Sequence, residues 1–314
     1  MSRPANLLRQ FAWHASIVLI SLGAAGLVVV LDHPATDDER PELTARADAA
    51  FQRAIPAIRV SLTDLAAAAD SMAAFGREAG TGLRAMDTQS TRDALTVGED
   101  ALVASLEASG SLAVQVEGLV VEIGASPLGA SNRARLVAIR AAARGGQTLT
   151  GAWSGISSPL VAAATALDGL ADHDDAVLRA TAAARDRHFG QALAALDEAQ
   201  IALQRAHDVQ QALQSDRDVS TLVGWVERSG DYDNALIHLY AVLEASRGAQ
   251  TPESVAALEA VNDAQAALPT DDSGLTIIVS EVTEPDSTEG LLAIERARGA
   301  ISAAVAALAA ASPR

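Results

Sequence analysis

Two residue types that carry much of protein chemistry are missing from this chain. It contains no cysteine, and all 23 of its basic residues are arginine, with no lysine. Without cysteine there is no disulfide, no thiolate zinc site and no cysteine nucleophile. Without lysine there is no Schiff base, no phosphate-binding P-loop lysine and no Ser-x-x-Lys centre. The sequence also lacks H-E-x-x-H, Glu-x-x-His, EF-hand, G-x-S-x-G and N-x-[ST] patterns, so neither a metal enzyme nor a nucleophile elbow announces itself. Aromatic residues make up only 3% of the chain, which leaves any core to aliphatic side chains and alanine.

What is present is acid. Forty carboxylates against 23 arginines give a formal charge of −17. All forty follow residue 31, so residues 10–314 carry 21 arginines against 40 acids. Such a body repels the phosphates of nucleic acid, which excludes DNA and RNA as natural partners, and it favours solubility. Arginine without lysine, amid abundant alanine, points to a GC-rich and hence bacterial genome.

Residues 11–31 are 21 consecutive positions without a formal charge. As a helix they cover about 30 Å, the thickness of a bilayer's hydrocarbon core. Arg3 and Arg9 precede the run, and Asp32, Asp37, Asp38 and Glu39 follow it. The positive-inside rule then places residues 1–10 in the cytoplasm as a short tail and the body outside. Trp13 stands where an interfacial aromatic anchors such a helix. Cleavage as a signal peptide is the rival; a cut after Gly26 satisfies the small-residue rule with Ala24, but strands Leu27 to Leu31 on the mature terminus. The run therefore reads as an uncleaved signal anchor, followed by a polar linker over 32–41.

Beyond residue 41 the periodicity is helical almost throughout and predicts an all-α chain. Phe51, Ile55, Ile58, Leu62, Leu65, Ala69, Met72, Gly76, Ala79, Leu83 and Met86 step by four and three, the spacing of a coiled-coil seam. Ser90-x-x-Asp93 predicts the start of a second helix, with Leu95, Leu102, Ser109, Leu112, Val116, Leu119 and Ile123 in the same register. Two such helices pair antiparallel within the chain, or the seam joins two copies. Leu136 and Ile139 face inward from a third helix that ends at Arg144. The Gly-rich 145–158 predicts a connector between a lobe over 42–144 and a C-terminal helical lobe over 159–312, with Ser158-Pro159 opening the next helix and Asp172 the one after. Residues 274–283 fit a strand by β-branching and a helix by spacing. With no partner strand in sight, helix is the reading.

"SGDYDNALIHLYAVL", from Ser229, resembles the turn and second helix of a tetratricopeptide repeat: Gly230, Tyr232, Ala235 and Leu236 match, as does Leu222 upstream. Val223 replaces that repeat's small residue, and no proline follows at Arg247. The similar "FGQAL" lies 43 residues before Tyr232, against a period of about 34. The resemblance covers about thirty residues and implies a helical hairpin with a peptide-binding surface around Tyr232, Ala235, Leu236 and Tyr240. An ordinary helix with aromatic core residues accounts for the same letters.

Asp172, His173, Asp174 and Asp175 supply oxygen and nitrogen donors suited to a divalent cation, but acids in a first helical turn also answer the helix dipole without metal. Arg133, Arg135, Arg140 and Arg144 form a locally basic face whose natural partners are the chain's own acids. Trp153, within the Gly-rich stretch, fits either a core plug or a ligand contact. No cofactor is indicated. Together these features predict a non-enzymatic, single-pass, membrane-anchored extracytoplasmic scaffold or protein-interaction protein. It would self-associate or bind a protein along the seam of Phe51, Ile55, Ile58, Leu62, Leu65 and Met72. A ligand-sensing helical ectodomain working through a partner is the alternative, and a metal-dependent hydrolase a third.

Overall fold

The computed structural model describes residues 40–269, 273–284 and 286–310. The tail, the apolar run at 11–31 and most of the linker lie outside them. Among the described residues the chain is all-α, eight helices with no strand, and no helix is long and apolar enough to cross a membrane.

The first helix, α1 (Arg40–Arg84), carries the four-three seam as expected: Phe51, Ile58, Leu62, Leu65, Ala69 and Met72 are fully buried. Pro56 sits inside the helix without ending it. The register stops at Leu83, because Met86 turns the chain with a positive φ of 59° and is 37% exposed. The second helix, α2 (Thr88–Ile123), starts earlier than the Ser90 signal suggests. Asp87 is its N-cap, and its carboxylate accepts from the Ser90 N–H at 2.9 Å. An N-cap oxygen reaches the amide three residues on, so Ser90 is the capped residue, not the cap. α1 and α2 then run antiparallel, with Leu95, Leu102, Leu112 and Leu119 buried against the α1 seam.

The third helix, α3 (Ala130–Arg185), is 56 residues long and extends about 84 Å at 1.5 Å per residue. It runs straight through the Gly-rich 145–158, where a connector was expected. Two of the glycines there are sites of close approach: a Cβ on Gly146 would sit 3.0 Å from Leu65, and one on Gly145 would sit 3.3 Å from the Ala297 backbone. Tertiary packing on both sides outweighs glycine's poor helix propensity, at roughly 1 kcal/mol each. Pro159 is accordingly interior and buried, not the first residue of a helix, and Asp172 lies about three-quarters of the way along α3.

Four helices follow: α4 (Phe189–Leu213), α5 (Ser220–Ala245), α6 (Pro252–Ala267) and α7 (Ser273–Thr283). Thr251 caps α6 in a reciprocal box with Ser254, and Pro252 is its first residue. The ambiguous 274–283 is helical, with Ile278, Val279 and Val282 inward. The last helix, α8 (Asp286–Ala309), packs antiparallel on α3 through Ile294, Ile301 and Leu308, with Asp286 and Glu289 in its first turn.

α5 overturns the hairpin implied by the repeat resemblance, since it is one uninterrupted helix through Gly230. Leu222, Val226, Ser229, Asp233, Leu236 and Tyr240 are all buried and keep a four-three step across the expected turn. A reversal at 229–231 would turn that stripe away from α4. The hydrophobic core has two clusters. The larger joins α1, α2, α3, α7 and α8 with the later part of α4 (Leu203, Ala206) and the start of α5 (Leu222, Trp225), while the smaller joins the end of α3 to α4, α5 and α6 through Ala180, Leu196, Leu236 and Val261.

Candidate functional site

The acidic quartet at 172–175 falls mid-helix, so three of its members project outward and one inward. Asp172 pairs with Arg205 of α4 at 2.6 Å on the surface, and Asp175 is exposed. His173 is 3% exposed and crosses to α5. Its Nε2 lies 3.1 Å and 3.2 Å from the two oxygens of Asp233, itself fully buried, and its Nδ1 lies 3.0 Å from Asp174. Burial alone would lower the imidazole's pKa. The hydrogen bonds and charges of Asp174 and Asp233 overcome that and raise it from 6.5 to about 9, so at neutral pH the ring is an imidazolium donating to a carboxylate on each side.

This pair is a polar layer between the two apolar clusters: Leu170 and Ala206 lie in one, Ala180 and Leu196 in the other. It is a cross-helix fastening. Both ring nitrogens are engaged by carboxylates, so neither is presented to a substrate. Among the described residues no group of three His, Asp or Glu side chains is arranged to hold a metal ion. The helix-start explanation of these acids fails with the metal one, because no helix begins there.

The repeat-like residues pack into the smaller cluster, Tyr232 and Ala235 half-buried against it. Leu236 and Tyr240 are buried, and the Tyr240 ring stands 6.5 Å from that of Phe189. Burial, and then the neighbouring Tyr232, pushes the Tyr240 hydroxyl up to about 12. The six seam residues are equally unavailable, since Phe51, Ile58, Leu62, Leu65 and Met72 are 0% exposed and Ile55 is 7%. The seam is consumed inside the chain by α2, α3 and α8 and cannot join two copies. Trp153 is a core plug at 1% exposure, its indole N–H donating to Glu99 at 3.2 Å.

The opposite side of the α1–α2 pair is open. A groove of about 810 Å³ runs between the helices, floored by alanines such as Ala57, Ala68, Ala101 and Ala108 and flanked by Asp64 and Glu107. At one end Ser61 and Ser111 hydroxyls meet at 3.1 Å, and the Gln115 amide donates to both at 3.0 Å. The amide's other end, Oε1, is buried without a hydrogen-bond partner. Turning the amide over would only exchange which end is left over. Val60, beside it, is 61% exposed. Sequence reasoning missed this groove because Ala, Ser and Gln at these positions carry no motif. The available signal was negative: small residues recurring at Ala57, Ser61 and Ala68 on one flank of the seam.

Among the described residues the four arginines at 133, 135, 140 and 144 do not pair with the chain's acids as expected, although Arg179, farther along α3, pairs with Glu198 at 2.6 Å. Arg133 donates to the Leu128 carbonyl and Arg135 to the Asn132 side chain, while Arg140 and Arg144 have no hydrogen bond or ion pair among the described residues. No family model, curated protein or solved structure matches the chain.

Proposed function

We propose that the chain is a non-enzymatic, single-pass membrane protein whose helical body stands outside the cytoplasm and binds a protein partner. The observation that carries this is the uncharged run at 11–31, with arginines before it and acids after it, joined to an acidic body. On this reading the architecture is one membrane span followed by an antiparallel helical bundle with coiled-coil-like pairing. Membranes carrying the full chain should keep it through an alkaline carbonate wash, and protease added to intact spheroplasts should degrade the body. Release by carbonate, or a body protected from protease, would sink the reading.

The partner is a helix with small side chains and a basic flank. Alanine-lined grooves let helix backbones approach closely, the flanking Asp64 and Glu107 attract cations, and the leftover end of Gln115 invites a hydrogen bond. That same amide end favours the second reading, a ligand-sensing ectodomain. A photo-reactive residue at Ala104, in intact membranes, separates the two. A protein adduct that disappears in Ala68→Trp, which fills the groove, supports the first. A small-molecule adduct supports the second, and adducts indifferent to Ala68→Trp defeat both.

A further inference from the structure

One end of the bundle differs in charge from the rest. The start of α1, the end of α2 and the start of α3 meet there. Asp48 accepts from the Gly129 N–H at 3.1 Å and from the Asn132 amide at 2.8 Å, and Arg53 pairs with Glu122 at 2.6 Å. Farther along, Gly146 lies against Leu65 and Ser109, so residues 130–145 are level with 40–64 and with the last third of α2.

This half holds four arginines on α1, namely Arg40, Arg46, Arg53 and Arg59, and the four on α3 at 133, 135, 140 and 144. Five carboxylates accompany them: Glu42, Asp48, Asp64, Glu117 and Glu122. Two of these are already committed, Asp48 to Gly129 and Asn132, and Glu122 to Arg53. Elsewhere among the described residues 12 arginines meet 29 carboxylates. An overall charge of −17 is thus strongly polarised along the bundle, with a positive end at the N-terminus of α1.

That end is also the one nearest the apolar run. Residues 32–39, which carry the four acids Asp32, Asp37, Asp38 and Glu39, are the only chain between the run and Arg40, and eight residues span at most about 28 Å when fully extended. A body this acidic, held so close to an anionic bilayer, would be pushed away by it. Arginines within a Debye length of the lipid surface reverse the sign of the interaction at the contacting face.

We propose that this basic end is a docking face for the phosphate headgroups of anionic phospholipid, which stands the body on the membrane with its acidic half turned away. The proposal rests on the membrane anchor inferred above. Its test uses the full chain in lipid nanodiscs, of phosphatidylcholine alone or mixed equally with phosphatidylglycerol. The absence of cysteine makes labelling simple: one fluorophore on Ala125→Cys, in the α2–α3 turn at the basic end, or on Asp186→Cys, beyond the far end of α3. A spin-labelled headgroup lipid serves as quencher.

Quenching at residue 125 should be several-fold stronger in the phosphatidylglycerol discs and should fall to the phosphatidylcholine level in Arg46→Gln/Arg140→Gln/Arg144→Gln. None of these three arginines has an ion pair or hydrogen bond among the described residues, so the variant should melt like the parent. The probe at 186 should stay unquenched in both. Equal quenching in the two lipids, or quenching indifferent to the three arginines, overturns the docking face and leaves the anchor standing. If the chain fails to enter discs at all, the anchor falls instead. Sedimentation of the same chain with phosphatidylglycerol vesicles then reads the face directly: arginine-dependent pelleting sustains it, and no pelleting overturns it.

Discussion

Asp233→Leu alone is expected to lower the unfolding free energy by about 3–5 kcal/mol, the range for breaking a buried ion pair by removing one partner. The mechanism is specific. His173, 3% exposed, would keep Asp174 at the surface but lose the carboxylate that satisfies its Nε2. The paired substitution His173→Leu/Asp233→Leu should recover most or all of that loss, since a leucine pair would fuse the two apolar clusters into one and remove two desolvated charges. Urea unfolding midpoints of the parent, the single variant and the pair decide it; a double variant as unstable as the single one would mean that the layer is irreplaceable.

The same pair sets a pH dependence. Folding raises the His173 pKa from 6.5 to about 9, so the native state holds the proton more tightly. The stabilisation is fully present below pH 6.5, shrinks between 6.5 and 9, and is gone above. Over that window the parent should lose on the order of 3 kcal/mol, and the leucine pair should lack this component.

What the letters reveal depends on whether apolar spacing alone defines an element. The α1 seam is legible from Phe51 to Leu83 because every step is four or three and nearly every residue is apolar; the seam's partner is legible too, in the matching register of α2. α5 keeps an equally regular step from Leu222 to Tyr240, yet Ser229 and Asp233 occupy two of its inward positions. Ser229, Gly230 and Asp231 in a row, with Asp233 just beyond, look like a turn, and the resemblance to a repeat reinforces that look. His173 hides likewise behind three exposed acids.

The α3 glycines mislead in the other direction. Gly145, Gly146 and Gly155 signal a break when their neighbours are unknown, and a contact surface once α1, α2 and α8 pack on them. Local propensity worth about 1 kcal/mol per glycine is outweighed by burial of side chains such as Leu149, Trp153 and Ile156 at 1.5–3 kcal/mol each. The groove was illegible because its lining is chemically quiet, and its one unusual feature, the leftover amide end of Gln115, exists only in three dimensions.

Gly98 and Trp153 supply the sharpest test of the packing between α2 and α3. A Cβ on Gly98 would fall 1.9 Å from Cη2 and 2.2 Å from Cζ2 of the Trp153 indole, distances that no two carbons sustain. On an exposed helix Gly→Ala would stabilise by up to about 1 kcal/mol. Here overpacking should dominate, and Gly98→Ala should cost about 2–3 kcal/mol net. Trp153→Leu removes the ring, leaves a partly filled hole and should itself cost about 3 kcal/mol. In that background the clash is gone, so adding Gly98→Ala should turn neutral or stabilising by up to 1 kcal/mol. A double-mutant cycle on urea unfolding measures the coupling, expected at about 3 kcal/mol between residues in direct contact. If Gly98→Ala costs the same in both backgrounds, the indole does not lie over Gly98, and α3 does not pack on α2 in this register.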